Sequence, residues 1–338
     1  MKGERQVNRH SAVRYAVAVV AASLLLAGCG SAAGSTGSGG SGRKTIGVSF
    51  DLLNAIRQAE KTAIQNAASA AGYDVVFDVA DQDAQKQAAQ IQDLIQTRKV
   101  SAVIAIAQDG QQIAASISLA KAHDVPFVAI DRAVADQQDI TFQVTGDPVA
   151  DGKLAAAEFT SAGKAKPLQV LELVGALTDQ NAIGRRDGFG AGVAGDADVR
   201  IVSQVPTDWK PDEALDGTSN ALQRNAGINA IFVPSDFLLP SVQSALTSAG
   251  RLAPIGDPKH VFVVTIDGDP NGCKALRAKT LDADVATQVG EFGKQAVAAI
   301  TTALGGKTAG QKTAQVKGLT LNQAGFATTS ARVWGCAS

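Results

Sequence analysis

The sequence predicts an α/β protein built as two Rossmann-like lobes with parallel sheets. Three observations predict it. Short runs rich in branched apolar residues recur along the chain, each followed by a helical stretch. Several of these runs are apolar throughout, as in strands covered on both faces of a parallel sheet. The pattern also starts again near residue 141, so two similar units stand in series without a close sequence repeat.

The elements follow in order. Residues 45–50 predict a strand, 55–71 a helix ended by Gly72, and 74–80 a second strand. Residues 84–97 form an amphipathic helix with Ile91, Leu94 and Ile95 on one side. Strand 102–107, helix 112–122 and strand 126–130 complete the first unit. The second begins with a short strand at 141–145, helix 149–161, strand 168–174 and helix 181–193. Strands 199–205, 230–233, 260–266 and, last, 281–286 follow, with helices near 212–225 and 237–249. In open parallel sheets ligands sit beyond the carboxyl ends of the strands, so the residues just after each strand are the candidates for function.

Ahead of this region lies an export signal. Lys2, Arg5, Arg9 and Arg14 make a basic leader, and residues 15–26 are an unbroken run of apolar and small residues. That run is well short of the roughly 20 residues a membrane span needs, and it fits a signal peptide over 1–28. Residues 30–42 are Gly, Ser and Ala with one Thr, so 29–43 reads as a flexible tether with no core of its own.

Composition bounds the remainder. The whole chain carries a net charge of −1, and removing residues 1–28 leaves about −4. No basic block suggests nucleic acid. About 295 residues remain after the tether, enough for two lobes of ordinary domain size. Aromatics are only 4%, while Ala and the 34 Gly suit close helix–sheet packing. Besides Cys29, Cys273 and Cys336 form an isolated pair. In an exported protein they read first as a disulfide, with two free thiols as the alternative. His123 and His260 make no ligand-like cluster with them, so neither metal nor cofactor is expected. Gly190, Gly192 and Gly195 match a dinucleotide pattern, but at a helix end rather than in a strand-to-helix turn. Ser161 and Lys164 match S-x-x-K without partner motifs. No enzyme is expected.

The strand ends carry a polar ring. Strand 126–130 ends in Asp131-Arg132, and helix 181–193 carries Arg185-Arg186-Asp187-Gly188-Phe189. Asp208-Trp209, Pro234-Ser235-Asp236, Asp267-Gly268-Asp269-Pro270 and Thr287-Gln288 follow the later strands. With Ala71-Gly72-Tyr73-Asp74 and Ile91-Gln92-Asp93-Leu94-Ile95, this order over residues 44–325 resembles the ribose-binding-protein-like branch of the type I periplasmic binding proteins. Leu26-Ala27-Gly28-Cys29 likewise resembles the lipobox of bacterial lipoproteins, which implies lipidation of Cys29; a signal peptide that happens to contain a Cys is the other reading.

The resemblance implies two lobes joined by a three-segment hinge. Residues 44–145 plus 287–317 would form lobe 1 and 146–286 plus 318–338 lobe 2, closing on a ligand. It implies a monomer that delivers a small sugar or polyol to an ABC transporter permease, or reports it to a sensor kinase. The residue types suit a polyol, whose hydroxyls both donate and accept and must be paired when buried. Carboxylates accept several hydroxyl protons, and guanidiniums donate in a fixed fork. The implied ligand residues are Asn54, Arg57, Asp131, Arg132, Arg185, Trp209, Ser235, Asp267 and Thr287. Arg132 could instead pair with Asp131 to hold a loop, and Trp209 could be a rim aromatic packed on the next helix. Three departures argue against ribose itself. Asn54-Ala55-Ile56-Arg57 stands where the family has Asn, Pro and two aromatics, Ser235 stands for Asn, and Thr287 for Gln. A linear polyol, a branched or deoxy sugar, or a sugar acid stays open.

Overall fold

The computed structural model describes residues 42–337 apart from Asp136 and Ala309. The expected signal peptide, Cys29 and most of the tether lie outside the described residues.

The first half of the chain alternates strand and helix: β1 (Thr45–Phe50), α1 (Ala55–Ala70), β2 (Asp74–Val79), α2 (Ala84–Gln96), β3 (Ala102–Ala105), α3 (Ala114–Ala122), β4 (Phe127–Asp131) and β5 (Phe142–Gly146). A second series follows: α4 (Pro148–Gly163), β6 (Leu168–Val174), α5 (Gln180–Val193), β7 (Val199–Pro206), α6 (Pro211–Arg224) and β8 (Ala230–Val233). It continues through α7 (Leu239–Ser248), β9 (Phe262–Asp267), α8 (Pro270–Arg277) and β10 (Ala283–Ala286). The chain ends with α9 (Val289–Leu304), β11 (Thr313–Val316), β12 (Leu319–Asn322) and α10 (Phe326–Thr329).

Two six-stranded sheets result, ordered β11-β5-β4-β3-β1-β2 and β12-β10-β9-β8-β6-β7. Pairing is parallel throughout the first sheet. The second departs from the expected all-parallel sheet, because β12 runs antiparallel to β10. The expected helix over 237–249 is also divided. A 3₁₀ turn over Asp236–Leu238 precedes α7, which starts afresh with Pro240 in its first turn, where the missing N–H is not needed.

Both sheets are buried on both faces, which explains their continuous apolar strands. In β3 and just beyond it, Ala102, Ile104 and Ile106 enter one core, while Val103, Ala105 and Ala107 enter the other. β8 divides likewise, Ala230 and Phe232 to one side and Ile231 and Val233 to the other.

The chain passes between the sheets after β5, after β10 and after β11. α9 returns to pack on α1, β4 and β5. The crossings are tied together: Gln288 Nε2 donates to the Lys317 carbonyl at 2.8 Å, and Gly318 N to Asp151 Oδ1 at 3.0 Å. The C-terminal segment closes the second lobe. Trp334 Nε1 donates to the Asp267 carbonyl at 2.9 Å, Gly335 N to the Gly268 carbonyl at 3.0 Å, and Cys336 meets Cys273 with Cα atoms 5.3 Å apart. That separation lies within the span of a disulfide.

Candidate functional site

The strand ends of the two sheets converge on one cleft. In lobe 1, β1 leads into the fully buried Asp51, and Asn54 caps α1 by accepting from Arg57 N at 3.2 Å. The start of α1 thereby aims Arg57 back at the strand ends. Its guanidinium donates to Asp51 (2.8 Å), Glu60 (2.9 Å) and Asp131 (2.8 Å). Arg132 spans Asp51 at 2.9 Å and Asp179 at 3.2 Å. It does not pair with Asp131 in the way the loop-holding alternative required.

Burial alone would raise the Asp51 carboxyl, but the Arg57 and Arg132 guanidiniums overcome it and hold the group below its ordinary value. Glu60 has only Arg57 to offset its burial, and Asp131 repels it further, so it is pushed up to about 8. Its Oε1 has no partner among the described residues. At neutral pH this side chain is therefore mainly a neutral acid.

In lobe 2 the glycines of α4 and α5 set the geometry. A Cβ on Gly152 would fall 2.2 Å from the Arg185 carbonyl oxygen, and one on Gly188 would fall 2.1 Å from that of Val149. The helices can touch backbone to backbone only without those atoms. Phe189, next along α5, stacks on Phe232 with centroids 4.3 Å apart and meets Phe159 edge-on. This packing points Arg185 into the cleft, where it donates to the Pro234 carbonyl (2.7 Å) and Asp267 Oδ1 (2.8 Å). Ser235 Oγ donates to Asp267 Oδ2 at 2.5 Å. Burial raises the Asp267 carboxyl above its ordinary value, with Arg185 and Ser235 acting against it.

The lobes already touch across the cleft. Asn181 Nδ2 donates to Asp131 Oδ1 at 3.2 Å, while Asp179 accepts from Arg132 and from Trp209 Nε1 (3.0 Å). Between them lies a small cavity of about 80 Å³. Asp131 (φ 61°), Asp267 (φ 124°) and Trp209 (φ 59°) line it in left-handed or otherwise strained backbone, as does Gln82 (φ 65°). Strain of this kind collects at functional sites, where the surrounding structure over-determines it.

Eight of the nine expected ligand residues line this cavity: Asn54, Arg57, Asp131, Arg132, Arg185, Trp209, Ser235 and Asp267. Thr287 does not. It stands just past β10, whose last residue Ala286 pairs with Asp267, and its Oγ1 lies 3.5 Å from Asp267 Oδ1. Sequence reasoning missed Asp179 and Asn181, which line the wall at the start of α5. Asp179 caps that helix through Asn181 N at 2.9 Å, so a capping signal was present but gave no hint of a cleft. Asp51 follows β1 and was open to the strand-end argument.

Comparison with known proteins decides the family. Residues 46–308 match a periplasmic binding protein domain. The chain belongs to this family. It is 30% identical over 264 residues to the ribose import binding protein of Bacillus subtilis, covering 78% of this chain and 82% of that protein. A xylitol-binding protein of Mycolicibacterium smegmatis is 26% identical over 276 residues, 80% of this chain and 74% of that protein. Among solved structures, the periplasmic component of the arabinose ABC transporter from Shewanella sp. ANA-3 superposes with a TM-score of 0.79 at 22% identity. That match covers 87% of this chain and 97% of the other, and shows the shared fold. The Bacillus relative is a ribose import binding protein and the Mycolicibacterium relative binds xylitol, and the family sets the chain outside the cytoplasm.

Proposed function

We propose that this periplasmic binding protein captures a neutral monosaccharide or sugar alcohol for an ABC importer, held at the membrane through a lipidated Cys29. The single observation that carries the reading is the charge balance of the cavity wall. Arg57, Arg132 and Arg185 face Asp131, Asp179 and Asp267, and each guanidinium is already bonded to a carboxylate. A sugar acid would bring another carboxylate with no unpaired cation to receive it. A neutral polyol adds no charge, and its hydroxyls can donate to the carboxylates and accept from the guanidiniums. The named relatives take ribose and xylitol, both neutral.

In this reading Asp131 and Arg132 hold the ligand from lobe 1, and Arg185, Ser235, Asp267 and the Trp209 ring hold it from lobe 2. A ligand bonded to both lobes favours the closed hinge, because only closure completes its contacts. The closed form is the one that a permease accepts.

A thermal-shift screen of the mature chain tests this. Its panel holds D-ribose, D-allose, D-apiose, L-arabinose, xylitol and myo-inositol against D-glucuronate and D-galacturonate. A ligand at a hundredfold its Kd stabilises by about 2.7 kcal/mol, so a rise in Tm with a neutral member is expected. Shifts with the uronates alone would reverse the assignment. Mass spectrometry of the membrane fraction tests the anchor, and an unmodified Cys29 on a soluble form would remove it.

A further inference from the structure

The inner cavity is smaller than the one beside it. Outside it, past Arg132, Asp179 and Trp209, lies a second chamber of about 560 Å³. Leu52, Gln82, Arg132, Asp179 and Trp209 line both, so the two are neighbours that share these residues. The lobes are already joined at Asn181–Asp131 and Arg132–Asp179, both at 3.2 Å, and the chamber persists beyond those contacts.

Its wall differs in part from that of the inner cavity. The inner wall is crowded with paired charges. The outer wall shares Arg132, Asp179 and Gln82 with it and adds Asp109, the exposed Asp208, the exposed amides Gln111 and Gln180 and the exposed hydroxyl of Thr178. The side chains of these three glutamines make no hydrogen bond among the described residues. Asp109, by contrast, spends its oxygens on Gln111 N (2.8 Å), Gln112 N (2.9 Å) and the Gln112 amide (3.0 Å). Each free amide offers both a donor and an acceptor without charge, which matches hydroxyl groups and favours no ion. Trp209 stands at the junction with its Nε1 fixed on Asp179, leaving the indole as an amphipathic wall between the chambers.

We propose that the outer chamber is a second subsite. It takes an uncharged hydroxylated group attached to the unit in the inner cavity, so that the full ligand is a glycoside or a disaccharide. This rests on the reading of the inner cavity as a polyol site, and it narrows the ligand from one ring to an extended molecule.

Calorimetric titration of the mature chain tests it. The probes are D-ribose, D-xylose, L-arabinose and D-galactose, each free, as its 1-O-methyl glycoside, and as a disaccharide carrying it at the non-reducing end. At least one extended form should bind tenfold or more tighter than its free sugar. Gln111→Trp and Thr178→Trp, which fill the chamber from opposite lobes, should each cut that ratio about tenfold, roughly 1.4 kcal/mol. Free sugars that bind while no extension improves on them overturn the subsite and leave the polyol reading standing. A ratio unmoved by both variants also overturns it, since the extension would then be held elsewhere. If no probe binds, the polyol reading and the subsite fall together.

Discussion

Replacing Arg57 by Met removes the one cation that three buried carboxylates share. Arg57 is 5% exposed, Asp51 and Glu60 are fully buried, and Asp131 is 5% exposed, with contacts of 2.8 to 2.9 Å to each. Removing one partner of a buried ion pair costs about 3–5 kcal/mol, because the other charge stays buried without compensation. Here the lower end applies. Glu60 is largely neutral already, and Asp51 keeps Arg132 at 2.9 Å. A loss of about 3 kcal/mol lowers the Tm of a chain of about 300 residues by roughly 5 °C. The loss has a direction in pH. In the variant the freed carboxyls take up protons more readily, so the deficit is smaller near pH 5 and larger near pH 8. Ligand binding weakens as well, because Asp131 loses the contact that orients it. Thermal unfolding of wild type and Arg57→Met across that range is the assay. Coincident curves would refute the reasoning. So would a variant that keeps its stability and loses only sugar-acid binding, which would make Arg57 a ligand donor instead of the centre of a structural cluster.

Glu60→Gln gives a complementary result. The Glu60 carboxyl is raised from its ordinary 4.5 to about 8, so the stability linked to its proton is whole below 4.5 and is lost as pH climbs toward 8. The variant cannot lose that proton, and its Tm should fall less than that of wild type over this interval; parallel curves would contradict the assignment. Asp179→Asn weakens the Arg132 contact between the lobes, so small-angle scattering of the ligand-free variant should show a more open chain, whereas an unchanged radius of gyration would remove the latch. The Cys273–Cys336 bond closes a loop with a sequence separation of 63, for which chain entropy gives about 4 kcal/mol. Mature protein should show no thiol that reacts without reductant, and two reactive thiols would exclude the bond.

The parts of the fold legible in the sequence are those whose signal is local. β6 and β8 fall at the expected residues, because runs such as Ala230–Val233 are apolar throughout and buried on both faces. β11 and β12 escaped notice for the opposite reason. Each has four residues, only Val316 and Leu321 among them are buried, and their partners lie far off in sequence. The candidate site was visible as polar residues following strands, which is how Asp131, Ser235 and Asp267 came to be chosen. What those residues bond to was not visible. The pairing of Arg57 with Asp51 and Glu60 depends on how α1 leaves β1, and the Arg132–Asp179 contact depends on lobe approach, which no local pattern encodes. Thr287 follows β10 and meets Asp267 at 3.5 Å without lining the cavity, a placement that no local pattern encodes.

The central claim is that one neutral polyol is held between Asp131 of lobe 1 and Asp267 of lobe 2. Calorimetry with the best neutral hit of the thermal screen, on wild type, Asp131→Ala and Asp267→Ala, tests it most directly. Each substitution leaves buried donors without an acceptor, at about 1–3 kcal/mol, so each should weaken binding by at least about tenfold. Wild-type affinity in both variants would contradict the claim and move the ligand out of this cleft.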